Sequence, residues 1–144
     1  MKKKSQAQIF LEQVEMLDTI IENKLIEQRQ WRDLALNITA NMDGERVQSS
    51  GTKSKMAEAI DRCIDIEREI VDAVNALVEK KQEIVRILEK VNSPTGYRIL
   101  HRRYIQQIDL SDIADKLNKE YSWVTTTHGR ALKSVQNILQ EKGF

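Results

Sequence analysis

From Met56 to Val91 the chain places residues at alternating steps of four and three: Met56, Ile60, Cys63, Glu67, Ile70, Val74, Leu77, Lys81, Ile84, Leu88 and Val91. Only Glu67 and Lys81 break the apolar run. A repeat averaging 3.5 residues, held over about five heptads, is the pattern of a left-handed coiled coil. At 1.5 Å per residue, about 38 residues make a helix roughly 55 Å long. A second apolar file, through Ile66, Ala73, Val78 and Val85, runs beside the seam. That is wider than a two-stranded pairing needs, so more than one partner helix is expected.

The partner within the chain is an earlier helix, from about Ser5 to Asn41, with its own stripe at Phe10, Val14, Leu17, Ile21, Trp31, Ala35 and Ile38. Between the two lie Asp43-Gly44-Glu45 and Ser49-Ser50-Gly51-Thr52, breakers and small polar residues that predict a loop over about 42–53. The loop is long enough for the helices to fold back as an antiparallel hairpin, and a homodimer through this arm accounts for the surplus apolar file. A monomeric three- or four-helix bundle uses the same stripes as an ordinary core, and periodicity does not separate the two.

Composition points the same way. Charged residues make up 31% of the chain and aromatics 5%, with five Gly and one Pro, which suits long solvated helices and predicts an all-α protein. Cys63 is the only cysteine, so no intrachain disulfide forms, and a reducing cytoplasm is the expected setting. The basic start Met1-Lys2-Lys3-Lys4 is followed by Ile9-Phe10-Leu11, which Glu12 interrupts before a secretory core develops. No apolar run approaches the length of a membrane span, so no membrane association is expected. The net charge is +1, unevenly spread. Residues 97–144 hold eight Lys or Arg against five Asp or Glu, a net of +3, which leaves −2 for the rest.

Asn92-Ser93-Pro94 ends the second long helix and opens a third, because proline disfavours helical geometry in the residue before it and is tolerated in a first turn. The division expected is therefore an arm over 1–92 and a compact domain over 94–144. In that domain three helices are predicted, near Thr95–Gln106, Leu110–Asn118 and Ser122–Glu141. Asp109 and Asp112 stand where carboxylates accept from the free N–H groups at a helix start, a variant of the capping box. Ile113, Ala114 and Leu117 form one inward face, and Val124, Ala131, Leu132, Val135 and Leu139 another. Asn118 tolerates the left-handed conformation that a sharp turn requires. Gly129, inside a predicted helix, costs about 1 kcal/mol relative to Ala, and a close helix approach is expected there in compensation.

The run Leu100-His101-Arg102-Arg103-Tyr104-Ile105, then Asp109-Leu110-Ser111-Asp112-Ile113-Ala114-Asp115-Lys116-Leu117, then Val124 and Arg130-Ala131-Leu132 resembles region 4 of sigma-70-type transcription factors. The likeness covers about 45 residues. With a long helical arm ahead of it, the chain further resembles the small phage late-gene regulators of the ArpU and RinA type. Two positions depart from the pattern. Asn118 and Lys119 replace its Gly and short apolar residue, and the final helix opens on Ser122-Trp123 and Thr125-Thr126-Thr127 where the family usually carries Arg, Lys or Gln.

The resemblance implies a helix-turn-helix whose last helix enters the major groove of double-stranded DNA. It places Ser122, Trp123, Thr125 and Thr126 toward the groove, with Val124 and Thr127 inward, Arg130 as a phosphate or guanine contact, and Lys133 and Arg102 on the backbone. Trp123 is read equally well as an aromatic that closes the core or covers the arm. The expected function is transcription regulation in a bacterial host cell, with RNA polymerase as a further partner. His101, His128 and Cys63 lack ligand spacing with other residues and read as core or surface groups, so neither metal nor cofactor is expected. No phosphate-cradling Gly loop and no nucleophile with a paired base are visible, and no enzymatic activity is expected. Two other functions fit the same helices: a DNA-packaging component like the small terminase subunits of phages, which place their DNA-binding part first, and a helical interaction module that keeps the helix-turn-helix shape without DNA.

Overall fold

The computed structural model describes residues 3–43 and 50–143, with side chains over 3–38 and 54–143. All its elements are helical, and there is no strand among the described residues. They are α1 (Gln6–Leu11), α2 (Gln13–Asp43), α3 (Ser50–Leu88), α4 (Pro94–Leu100), a π-helical turn (His101–Ile105), α5 (Leu110–Leu117) and α6 (Tyr121–Glu141). The first expected helix is thus two, parted at Glu12. The expected loop shortens from both sides, since Met42 and Asp43 belong to α2 and Ser50–Thr52 to α3, while Gly44, Glu45 and Ser49 lie outside the described residues.

The chain divides into two compact units, one comprising residues up to Met16 together with those from Leu77 onward, the other Leu17–Ala76. The division therefore falls at 16/17 and 76/77 rather than at 92–94, because the N-terminal segment and the end of α3 pack with the C-terminal helices. In the first unit Ala7, Phe10, Leu11 and Val14 share a core with Ile84, Ile87, Leu88 and Val91, and with Leu100, Tyr104, Ala131, Val135 and Leu139. Ser5 caps α1 by accepting from the Gln8 N–H at 3.2 Å. The Ala7 N–H, a free donor of that first turn, donates to the Gln136 amide of α6 at 2.9 Å. A smaller core of Ile99, Ile113, Ala114 and Val124, flanked by Ile108, Leu110 and Leu117, holds α5 against α4 and α6.

In the second unit α2 and α3 run antiparallel. Lys24 pairs with Glu69, Glu27 with Arg62, and Gln28 donates to the Cys63 carbonyl at 3.3 Å and to Glu67 at 2.7 Å. Glu67, which breaks the apolar seam, is thereby matched to a buried Gln28. Cys63 sits half-buried with its Sγ 3.8 Å from the Gln28 carbonyl. Only Ala59 and Ile66 are buried among this unit's described apolar side chains, while Ile60, Ile64, Val71 and Val74 remain exposed along α3.

Candidate nucleic-acid interface

Each helix of the C-terminal segment has a local reason to start or stop. Ser93 accepts from the Gly96 N–H at 3.0 Å, and Pro94 occupies the first turn of α4. Gly96 marks a close approach, because a Cβ there would lie a tight 3.2 Å from the Ala131 Cβ of α6. This is the close helix approach that was expected at Gly129. At Gly129 itself a Cβ would meet nothing within 4 Å, since that residue lies on the outer face of α6.

After Leu100 the helix widens. The Gln106 N–H reaches the His101 carbonyl at 3.0 Å, and the Ile108 N–H reaches that of Arg102 at 2.9 Å, with Gln107 left-handed at φ 58°. Such π turns are uncommon and cluster at functional positions. The turn buries Tyr104, whose hydroxyl lies 2.8 Å from His128 Nε2 with the two rings stacked. Burial pushes the Tyr104 phenol up to about 12, so it stays protonated in its hydrogen bond with the imidazole. Burial first, and the Arg103 charge second, lower the His128 pKa and favour the neutral ring. Arg103 stacks over Tyr104, 5.5 Å from the ring centroid.

Asp109 has the extended backbone of an N-cap, but its exposed carboxylate accepts no bond from α5, so the expected capping box does not form. Asp112 remains favourably placed in the first turn, beside the positive end of the helix. At the other end Asn118 is left-handed at φ 55°, ψ 45°. Lys119 N–H bonds to the Ala114 carbonyl and Asn118 N–H to that of Asp115, the two bonds of a Schellman turn. That turn aims the chain into α6, where Val124 is fully buried against the Ile113 and Ala114 side.

Ser122, Trp123, Thr126, Arg130 and Lys133 are all exposed on α6, and Thr125 is half-buried. Trp123 does not close a core, for it is 39% exposed with Lys119 Nζ 5.2 Å from its ring centroid. Thr125 and Thr126 both donate their hydroxyls to the Ser122 carbonyl, at 3.0 and 2.9 Å, and Thr127 donates to Trp123 at 2.8 Å. With their protons committed to the helix, these hydroxyls keep acceptor lone pairs rather than donor protons for a partner. Arg102 stands apart from this group, in the π turn. Its Nη1 is buried without a hydrogen-bond partner.

Sequence reasoning overlooked Arg98 and the setting of His101. Arg98, four residues before Arg102, was the available signal. Among the described residues no group of three or more His, Cys, Asp or Glu is placed to hold a metal ion, and no helix is long and apolar enough to cross a membrane. The site thus has the chemistry of a polar, mildly cationic helix face behind a tight left-handed turn. No family model, no curated protein and no solved structure matches the chain.

Proposed function

We propose that this chain is a sequence-specific double-stranded DNA-binding regulator of transcription, sigma-70 region 4-like in its C-terminal helices and of the phage late-gene type. In this reading α5 and α6 form the helix-turn-helix and α6 enters the major groove in a bacterial host cell. The observation that carries it is the outer face of α6. Ser122, Thr126, Gly129, Arg130 and Lys133 stand exposed there, while Val124, Ala131, Val135 and Leu139 anchor the same helix in the core. Threonine methyls fit thymine methyls, and Arg130 supplies the bidentate or phosphate contact. Two copies pair through the arm, where Ile60, Ile64, Val71 and Val74 form an exposed stripe on α3, and a dimer presents two reading heads. RNA polymerase is the further partner that the sigma likeness suggests.

The test is binding to duplexes selected from a random pool, with Arg130→Ala compared against the parent across a salt series. A backbone contact lowers the slope of log K against log salt by about 0.9. A base contact instead costs about 1–3 kcal/mol on the selected sequence and little on random DNA. Thr125→Ala with Thr126→Ala relaxes sequence preference more than total affinity.

A second reading, a protein-interaction module without DNA, is favoured by the three threonine hydroxyls committed to their own helix and by the few cations on α6. It takes first place if Arg130 and both threonines prove dispensable for DNA binding in a folded chain.

A further inference from the structure

The outer side of α4 and the π turn holds an open concavity of ≈ 420 Å³ lined by Pro94, Tyr97, Arg98, His101, Arg102 and Gln106. Its lining contains two guanidiniums and an imidazole and no carboxylate. Arg98 and Arg102 are four residues apart, a spacing at which like charges on a helix repel each other. Among the described residues neither forms an ion pair. The sharper fact is Arg102 Nη1, buried with nothing to accept its protons. A cationic donor with no acceptor in the protein is costly, which marks this guanidinium as short of partners.

The imidazole is oriented as well. Gln106 Nε2 donates to His101 Nδ1 at 3.0 Å, which leaves the neutral ring's proton on Nε2 as a donor, and the Tyr97 ring lies against it with centroids 5.7 Å apart.

We propose that this concavity binds a phosphate group. A tetrahedral phosphate offers separate oxygens to donors arriving from several directions, and guanidinium forks match it in shape and charge. A carboxylate, with two oxygens in one plane, engages one fork and leaves the others unpaired. The phosphate belongs either to a nucleic-acid backbone or to a free phosphate or small ester. The inference extends the DNA reading at Arg102, yet it stands without any role for α6.

The experiment titrates inorganic phosphate into the ¹⁵N-labelled full chain at constant ionic strength, with acetate as the control anion, following the arginine Nε–H resonances. Saturable shifts are expected at Arg98 and Arg102 with phosphate and not with acetate, and none at Arg103. Arg98→Ala and Arg102→Ala each weaken phosphate binding by about tenfold or more, and Arg103→Ala leaves it unchanged. Phosphate raises the Tm of the parent but not of Arg102→Ala. Arg98 is exposed, so Arg98→Ala decides the matter if the Arg102 variant fails to fold.

A short random-sequence duplex then separates the sources. If it shifts the same resonances and displaces phosphate, the backbone is the ligand. If it does neither, a free phosphate or small ester is. Arg130→Ala leaves the phosphate titration untouched, so failure of the α6 reading is distinct from failure here. Equal shifts with acetate, or parent-like titration of both Arg98→Ala and Arg102→Ala, overturn the proposal.

Discussion

The two units of this chain are built from the same kinds of residue and bury them very differently. In the unit containing α4, α5 and α6, side chains from α1, the end of α3, α4, the π turn and α6 share one core. Leu11, Leu88, Leu100 and Val135 are enclosed from more than one side. In the unit of Leu17–Ala76 two antiparallel helices meet along one line, polar pairs such as Gln28–Glu67 occupy part of it, and Leu25, Leu36, Ile64 and Val71 face outward. A pair of helices has only one shared face, so each can bury one stripe and must leave any second stripe uncovered. Amphipathic sequence alone does not make a core; the number of partners decides how much of it is buried.

The largest expected effect tests that contrast directly. Leu88→Ala opens a cavity among neighbours held by several helices and should cost about 3–5 kcal/mol, whereas Ile66→Ala, with fewer neighbours to hold the void open, should cost about 2. Urea denaturation of both variants checks this, and equal losses would mean that the second unit is as tightly enclosed as the first.

If the exposed α3 stripe is the dimer seam, Val71→Asp with Val74→Asp should raise the dimer dissociation constant by about a hundredfold or more by placing like charges in it, about 2.7 kcal/mol. Sedimentation equilibrium at micromolar concentration reads it. A parent that is already monomeric there would leave the stripe to another partner.

Acid should weaken only the first unit, which contains both histidines. The His128 pKa is lowered in the folded protein, so below the unfolded value of about 6.5 the unfolded chain binds the extra proton more readily. Stability is fully present above that pH and is lost as pH falls through the folded pKa. Denaturant midpoints measured between pH 7.5 and 5.5 should fall for the parent and stay flatter for His128→Gln.

The smallest effect concerns the outside of α6. Gly129→Ala should stabilise the chain by about 0.5–1 kcal/mol, since a Cβ there meets nothing. If thermal melting shows the gain while DNA affinity drops, the glycine serves a partner's close approach rather than the fold.

Much of the helix pattern was legible because it rests on local chemistry. Pro94 marked a helix start, Asn118 marked the left-handed turn, and the spacing of Val124, Ala131, Val135 and Leu139 marked the inner face of α6. What periodicity did not reveal was which of two neighbouring files is covered. On α3 the structure buries Ile66 and Ala59 while Ile60 and Val74 of the expected seam stay exposed, because the answer lies in where α2 runs. Ile9-Phe10-Leu11 was visibly apolar, but nothing local says that Phe10 and Leu11 join a core with residues more than a hundred positions away. The π turn has no residue signature in His-Arg-Arg-Tyr-Ile, and Asp109 had the right type for a cap without making the bond. Of the interface, the α6 positions followed from the resemblance. Arg98 and His101 did not, because their significance depends on a concavity shaped by the widened helix.

The bond from Ala7 to Gln136 spans 129 residues, and it sets a clock. During synthesis α1 leaves the ribosome well before α6, against which it packs. At about 5–20 residues per second the interval is on the order of ten seconds. Through that time Phe10, Leu11 and Val14 have no α6 to cover them. The final core therefore closes late and over a long loop, and the nascent chain passes through a window in which a chaperone or a second nascent copy competes for the place α6 will take.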